Sequence, residues 1–467
     1  MVNKVQHMQA RVVKAEKASE NERNATAKGG LVLIQALARK LHVWSDGRKL
    51  LPKRKDPNQG FELIPVIASL VFGLLSGGKG FVAAEPLRED GPLLKLIGVK
   101  RAPCAKTVEN VIKYLGQETA GAGIKSLTSL LHRFVRRALD RSKIVDLRSC
   151  FGFVPVWTDG TLLEVAGKCF DSIKYKDSQR GQMCVGAFVG PWLTGIDFCG
   201  EGKGEGEETY GRRLLDEMIV NVLRPKKLMK HALILLDSLY GDGPTLDRLE
   251  DYRDKPWYIV GVQKLDEAVR VMNDMPEVQW RDTGAQPRYG WSASSIGQAW
   301  LQCQQWPQKR LMVCRRWKKE GEMIWNYAAV VTNLSEKQRQ VARLMKDRNL
   351  CFEETIWLLY GHKQAMENQW KDLLADMGLH HPPCAKAQVN AIFYAIAGLA
   401  YNLSVGVRRL ALEGSNCRMR LWRLRRDVFD LCSRAIEHGG TVTMRFIDAR
   451  DSLIEQILIA MGRIARL

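Results

Sequence analysis

The sequence predicts an α/β chain: a mixed sheet wrapped by helices, preceded by a helical basic region and followed by a helical basic one. Three observations predict it. The texture changes from helical periodicity to strand-like runs at Phe153. The runs after it are written in the order β-β-β-α-β-α-β. Three- and four-residue apolar spacings dominate on either side. At 467 residues the chain has room for two or three domains with at least one large core.

Residues 1–60 carry thirteen Lys and Arg against five Asp and Glu. They combine a helical stretch, Gly30 to Leu41, with a basic segment, Arg48-Lys-Leu-Leu-Pro-Lys-Arg-Lys55. A helical DNA-binding module fits this make-up, with phosphate contacts supplying affinity; a solvated basic arm fits the first 25 residues equally. From Phe61 to Leu115 the pattern stays helical, with a Gly-rich break at 77–80 and a turn near Arg101-Ala-Pro-Cys104. Ile124 to Leu139 follows as an amphipathic helix with Arg on its outer side.

Val154-Pro-Val-Trp-Thr-Asp159-Gly160 is an extended apolar run closing on a carboxylate. Strand-like runs follow at 168–175, 183–192 and 193–199, then a Gly/Glu-rich loop at 200–208 and a helix over 209–223. Ala232-Leu-Ile-Leu-Leu-Asp237 is a buried-strand pattern that again ends on Asp, and Trp257-Tyr-Ile-Val-Gly-Val262 is another beyond a helix at 243–254. Residues 264–335 break the alternation. Seven of the thirteen tryptophans fall between 257 and 325, and 311–317 with 323–332 read as a hairpin, so this stretch reads as a mostly β insertion. Val389 to Leu403 is a strongly apolar helix, Arg408 to Asp427 is very basic, and the last forty residues read as one or two amphipathic helices. The expected units are 1–150, helical and basic; 151–405, the sheet with its insertion; and 406–467, helical and basic.

The net charge of +20 and pI near 9.5 imply a polyanionic partner, DNA, RNA or an anionic membrane surface. A membrane span is excluded for the most apolar run, Leu63 to Leu75, which is too short and contains Pro65; it reads as a buried helix. The first thirty residues hold no apolar signal core, so secretion is not indicated. Eleven scattered cysteines without a Cys-x-x-Cys pair read as reduced core thiols in a cytosol.

Asp159 and Asp237 close strand patterns, and strand ends on one sheet edge are where polar groups meet substrate. A third carboxylate comes from Tyr360-Gly-His-Lys-Gln-Ala-Met-Glu-Asn-Gln-Trp-Lys371, within a long helical pattern. At ~100° per residue, Tyr360, Lys363, Glu367 and Lys371 fall within an arc of roughly 80°, so Glu367 is flanked by long cations. That arrangement also describes an exposed helix laced with Lys–Glu pairs. With the two Asp it becomes a ligand set for one or two Mg²⁺ ions, the chemistry of phosphodiester displacement. Asp197, Asp242, Glu353 and Glu354 rank lower, because none both closes a buried strand and fits the order strand, strand, helix.

These residues resemble the DDE transposases of bacterial cut-and-paste insertion sequences, of the class with a Tyr-Arg-Glu-Lys signature. The resemblance covers most of 150–405. It is carried by Trp-Thr-Asp159-Gly, Leu-Leu-Asp237-Ser-Leu-Tyr-Gly, Val-Val-Thr-Asn333-Leu, Tyr360-x-x-Lys363-x-x-x-Glu367-Asn-Gln-Trp-Lys-Asp-Leu, Val389-Asn390 and Leu399-Ala-Tyr-Asn-Leu403, in the family's order. It implies an RNase H-like catalytic domain with the β-rich insertion before the last acid. Asp159, Asp237 and Glu367 would be the catalytic metal ligands, for Mg²⁺ or Mn²⁺. Tyr360 and Lys363 would hold phosphates of the element's ends. Two positions depart from the signature: its Arg is Lys363, which lacks the bidentate fork, and its Lys is Leu374, with Lys371 one turn earlier as the substitute. Trp291, Trp300 and Trp306 are the candidates for stacking on an extruded base, packing being the alternative for each.

The function so implied is DNA transposition: cutting at the ends of the element and joining them to target DNA, through a homodimer that pairs two ends, in a bacterial cytoplasm at the nucleoid. An RNase H-like nuclease without strand transfer and a non-catalytic DNA-binding derivative are the rivals.

Overall fold

Strands from the two ends of the chain meet in one small sheet, and strands from its middle build a large one. The computed structural model describes residues 12–17, 25–53, 62–142, 148–176, 178–263, 265–304, 306–414, 418–447 and 450–467. The stretches 1–11 and 18–24, and Arg54-Lys55 of the segment after Arg48, lie outside the described residues. The chain begins with β1 (Val12–Lys17) and β2 (Ala25–Thr26), then helices α1 (Val32–Lys40), α2 (Leu63–Leu75) and α3 (Ala122–Arg141). A helix apolar all round has to be enclosed, and α2 is buried from Ile64 to Leu75, with Pro65 in its first turn where the missing N–H costs nothing.

The middle of the chain gives β3 (Val154–Glu164), β4 (Ile173–Lys176), β5 (Gln179–Val189), β6 (Trp192–Phe198), α4 (Glu207–Met218), β7 (Ala232–Leu236), α5 (Gly243–Asp251) and β8 (Trp257–Gly261). β5 is antiparallel to β3 and β6 to β5, whereas β7 runs parallel to β3 and β8 parallel to β7. The order across is thus β6-β5-β3-β7-β8, with β4 beside the start of β5. Inner parallel strands are covered on both faces and read as continuous apolar runs; all five residues of β7 are buried. β3 outruns its sequence pattern. Thr161, Leu162 and Leu163 keep pairing with β5 as far as Glu164↔Gly181, so Asp159 lies mid-strand and not at a strand end.

Four more strands, β9 (Arg281–Asp282), β10 (Trp291–Leu301), β11 (Arg310–Lys319) and β12 (Asn326–Thr332), occupy the inserted stretch. β11 and β12 form the expected hairpin. The insertion is continuous with the main sheet, however, because β12 pairs antiparallel with β8 (Val330↔Gly261) and brings the sheet to ten strands.

Helices α6 (Arg339–Arg348), α7 (Phe352–Tyr360), α8 (Gln364–Lys371) and α9 (Ala387–Gly406) follow. The single long helix expected around 352–377 is bent into segments, a 3-10 turn at Gly361–Lys363 separating α7 from α8. α9 is buried along its length apart from Gln388; its Asn402 replaces a missing sheet partner, accepting from the Leu193 N–H at 2.9 Å and donating to the Leu193 carbonyl at 2.7 Å.

The C-terminal region is not all helical. A hairpin, β13 (Ser433–His438) and β14 (Thr441–Phe446), precedes α10 (Asp451–Arg466). Its turn, Gly439-Gly440, has φ of 54° and 75°, the left-handed pair that a two-residue hairpin turn demands. β14 pairs in parallel with β1, and β13 pairs with β2. Leu31, Val32, Phe134, Val154, Val405 and Ile464 accordingly belong to one continuous core.

Candidate active site

Parallel pairing sets two carboxylates side by side. Val154 faces Ala232 and Trp157 faces Leu235 across β3 and β7; two residues further on in the same register come Asp159 and Asp237. Asp237 stops β7 by capping the next turn, its Oδ1 accepting the Leu239 N–H at 3.0 Å. Burial pushes the Asp159 carboxyl up to about 7; Lys363 opposes the shift, and the charges of Asp237 and Glu207 add to it.

Glu207 is the acid that sequence reasoning missed. It opens α4, is 8% exposed, and accepts the backbone N–H of Gly160, the residue after Asp159, at 2.9 Å. A Cβ on Gly160 would stand 2.4 Å from its Cδ, so the glycine is what admits the carboxylate. Burial raises its pKa, and Asp237 is among the charges that add to the rise. The sequence signals were Gly160 itself and a Glu at a helix start; neither names its partner.

The helical segments bring the other groups. Lys363 Nζ lies 3.6 Å from Asp237 Oδ2. The Tyr360 hydroxyl donates to the Leu236 carbonyl at 3.2 Å, and its pKa is raised by burial and then by Asp237 and Asp159. α8 is fastened over β3 and β5: Trp157 Nε1 donates to Gln369 Oε1 at 3.1 Å, Gln369 Nε2 donates to the Gly190 carbonyl at 2.9 Å, and Trp370 covers Gly186, the cross-strand partner of Asp159. Glu367 is exposed one turn beyond Lys363, its Oε2 accepting from Gln364 at 3.2 Å. Lys371 is exposed at the end of α8. Asp159, Asp237, Tyr360 and Lys363 are therefore brought together with Glu207, while Glu367 and Lys371 stand outside that group.

The oxygen-only donor set suits a hard divalent cation, and the crowding of Asp159, Asp237 and Glu207 is a repulsion that such a cation would relieve. Tyr240, whose buried hydroxyl has no hydrogen-bond partner among the described residues, feels the same three charges. Among the described residues no three Asp, Glu, His or Cys side chains stand in position to hold one metal ion. Asp159 and Asp237 offer oxygen donors that suit such an ion, and a third ligand would come from elsewhere.

The lower-ranked acids have structural work. Asp197 pairs with Arg213, Asp242 caps α5 and pairs with Arg212, and Glu354 completes a capping box with Cys351. The tryptophans separate. Trp306 is buried beneath Arg310, and Trp300 is 64% exposed at the far end of β10. Trp291 stacks on Trp317 (centroids 5.1 Å apart, 22° between planes), and Arg315 lies over both Trp291 and Trp357. Trp291, Arg315 and Trp357 wall a cavity of about 830 Å³ that Tyr360 and His362 also line. Of the basic 408–427 run, Arg408 and Arg420 bind Asp372, Arg425 donates to the carbonyls of Leu74, Leu75 and Asp376, and Arg423 and Arg426 pair with Asp427. Arg408, Arg420 and Arg425 thus hold the C-terminal region to the core, while Arg423 and Arg426 pair locally.

Compared with known proteins, residues 204–465 match a family model described as "Transposase DDE domain group 1". No curated protein matches the chain. Among solved structures, a cryo-EM structure of a piggyBac transposase synaptic complex with hairpin DNA is similar over 88% of this chain and 84% of that one, at 12% identity and a TM-score of 0.37.

Proposed function

The chain belongs to the transposase DDE domain group 1 family, and from that premise we propose that it cuts DNA at the ends of a mobile element and joins those ends to target DNA by divalent-metal-dependent phosphoryl transfer. The observation that supports this reading is the register of β3 and β7, whose last pair, Trp157↔Leu235, stands two residues before Asp159 and Asp237, with Lys363 at Asp237. The strand order β6-β5-β3-β7-β8, with the first three antiparallel and the last three parallel, supports an RNase H-like catalytic unit over 151–405.

Asp159 and Asp237 would hold Mg²⁺ or Mn²⁺, with Glu207 behind them and Glu367 completing the set once DNA seats on α8. The ions would activate an attacking oxygen and stabilise the leaving one. The chain's own contribution is to position the DNA. Lys363 and Tyr360 lie at the carboxylates and Lys371 two turns on from Lys363, so a strand laid along α8 meets cations on both sides of Glu367. Asp159 is half-buried, which limits the water that reaches its carboxylate. The reading extends to a bacterial insertion sequence of the Tyr-Arg-Glu-Lys class, acting as a homodimer at the nucleoid.

The test is cleavage of labelled DNA carrying the repeats that flank the gene, with Mg²⁺ or Mn²⁺, beside Asp159→Ala, Asp237→Ala and Glu367→Ala. Cutting at the repeat boundary by the parent, and binding without cutting by each variant, is the expected result. Variants that cut as well as the parent would overturn the site. Binding without cutting by the parent itself would make the chain a DNA-binding derivative, and cutting without joining a nuclease.

A further inference from the structure

The opposite edge of the large sheet carries the opposite charge. The residues that lead into β3, β7 and β8 meet the start of α6 there, around a cavity of about 860 Å³. Arg148, Lys230, Lys337, Arg339 and Arg343 line it with His231 against a single carboxylate, Asp347, which pairs with Arg343. Lys230, Lys337 and Arg339 are exposed and form no ion pair among the described residues.

The histidine shows how little compensates this charge. Arg148 Nη2 stands 3.0 Å from His231 Nε2, and a guanidinium can only donate, so Nε2 accepts and the ring proton sits on Nδ1. Nδ1 is buried and has no partner among the described residues. Burial, then Arg148 and Lys230, hold the imidazole below its usual range. Five cations against one carboxylate make the cavity a place suited to an anion.

From this geometry we infer that the cavity binds backbone phosphates of a second stretch of duplex DNA, on the sheet edge opposite the carboxylates. The cations come from three separate segments, more than one phosphate needs, and Gln338, Gln340 and Ser335 add the neutral donors that commonly position a duplex backbone. The net charge of +20 points to the same polyanion. The inference extends the DNA reading above to another surface, and it concerns binding alone.

The test uses the full chain and a labelled 30-base-pair duplex of about that length's usual B-form, free of any terminal repeat, with affinity measured across a salt series. Each lost phosphate contact flattens the log–log salt slope by about 0.9. Lys230→Ala with Arg339→Ala should therefore flatten it by about two, and the independent variant Lys337→Glu by at least about one. Lys203→Ala with Lys309→Ala, exposed lysines elsewhere, should leave the slope as in the parent. Equal slopes in the cavity variants and the parent would overturn the inference. So would a thermal shift by inorganic tripolyphosphate that the cavity variants abolish while their duplex slopes stay unchanged, since the cavity would then take a free polyphosphate. Because nothing in this test depends on cutting, a chain that proves inactive as a transposase still answers it.

Discussion

Lys363 Nζ lies 3.6 Å from Asp237 Oδ2, a contact that ties the turn between α7 and α8 to the end of β7. Both side chains are partly open to solvent, at 22% and 32%. Half-exposed pairs contribute little to stability, so the lysine is available to a phosphate. Lys363→Ala should lower affinity for end DNA about tenfold, ~1.4 kcal/mol, and flatten the salt slope by about one. Denaturant unfolding should change by less than ~1 kcal/mol. A large stability loss with an unchanged slope would make Lys363 a structural residue.

Glu207 and Glu367 are expected to act at different stages. Glu207→Gln keeps an oxygen for the Gly160 N–H but removes a charge from the acid group. Calorimetry with Mn²⁺ on the DNA-free protein should show affinity weakened ~10-fold, in the range for loss of a supporting group. Glu367→Gln should leave that affinity unchanged and abolish cutting of bound DNA. Weaker Mn²⁺ binding by Glu367→Gln without DNA would mean that Glu367 already belongs to the free site.

Gly160 and Glu207 share one space. Gly160→Ala brings a methyl 2.4 Å from Glu207 Cδ and should cost about 1–3 kcal/mol, as overpacking does. In a Glu207→Ala background the same change should cost at least about 1 kcal/mol less. Urea unfolding of the four proteins measures the difference; strictly additive costs would contradict the contact.

His132 gives the fold an acid limit away from the carboxylates. It is buried on α3, and burial, then Arg136, lower its pKa to about 4. Between the unfolded value of ~6.5 and the folded one, the unfolded chain binds the proton and the folded chain does not. Stability therefore falls as pH drops through that window, by on the order of 3 kcal/mol in all. His132→Leu should remove this part of the pH dependence; an unfolding profile from pH 4 to 7 that is the same in both proteins would refute it.

The inner strands were legible because β7, β8 and the first half of β3 are apolar runs, and α2 because its apolar surface admits only burial. Asp237 follows its strand as the pattern indicates. Asp159 does not end its own, since Thr161, Leu162 and Leu163 keep pairing with β5. The place of Glu207 beside Asp159 is set by the packing of α4 on β3, which no local spacing encodes. The β12–β8 pairing joins residues about seventy apart, and the hairpin at 433–446 carries polar residues on half its length. Its Gly-Gly turn was a readable signal outweighed by the surrounding helical periodicity.

The small sheet has a consequence for the making of the protein. β2 cannot find its neighbour until β13, some four hundred residues later, has left the ribosome. At ~5–20 residues per second that is a wait of roughly 20–80 s. During that wait the apolar side of α1, later covered in part by α10, has to be shielded by something else. A nascent chain cut short before Ser433 would lack both β13 and α10 and leave that side of α1 uncovered.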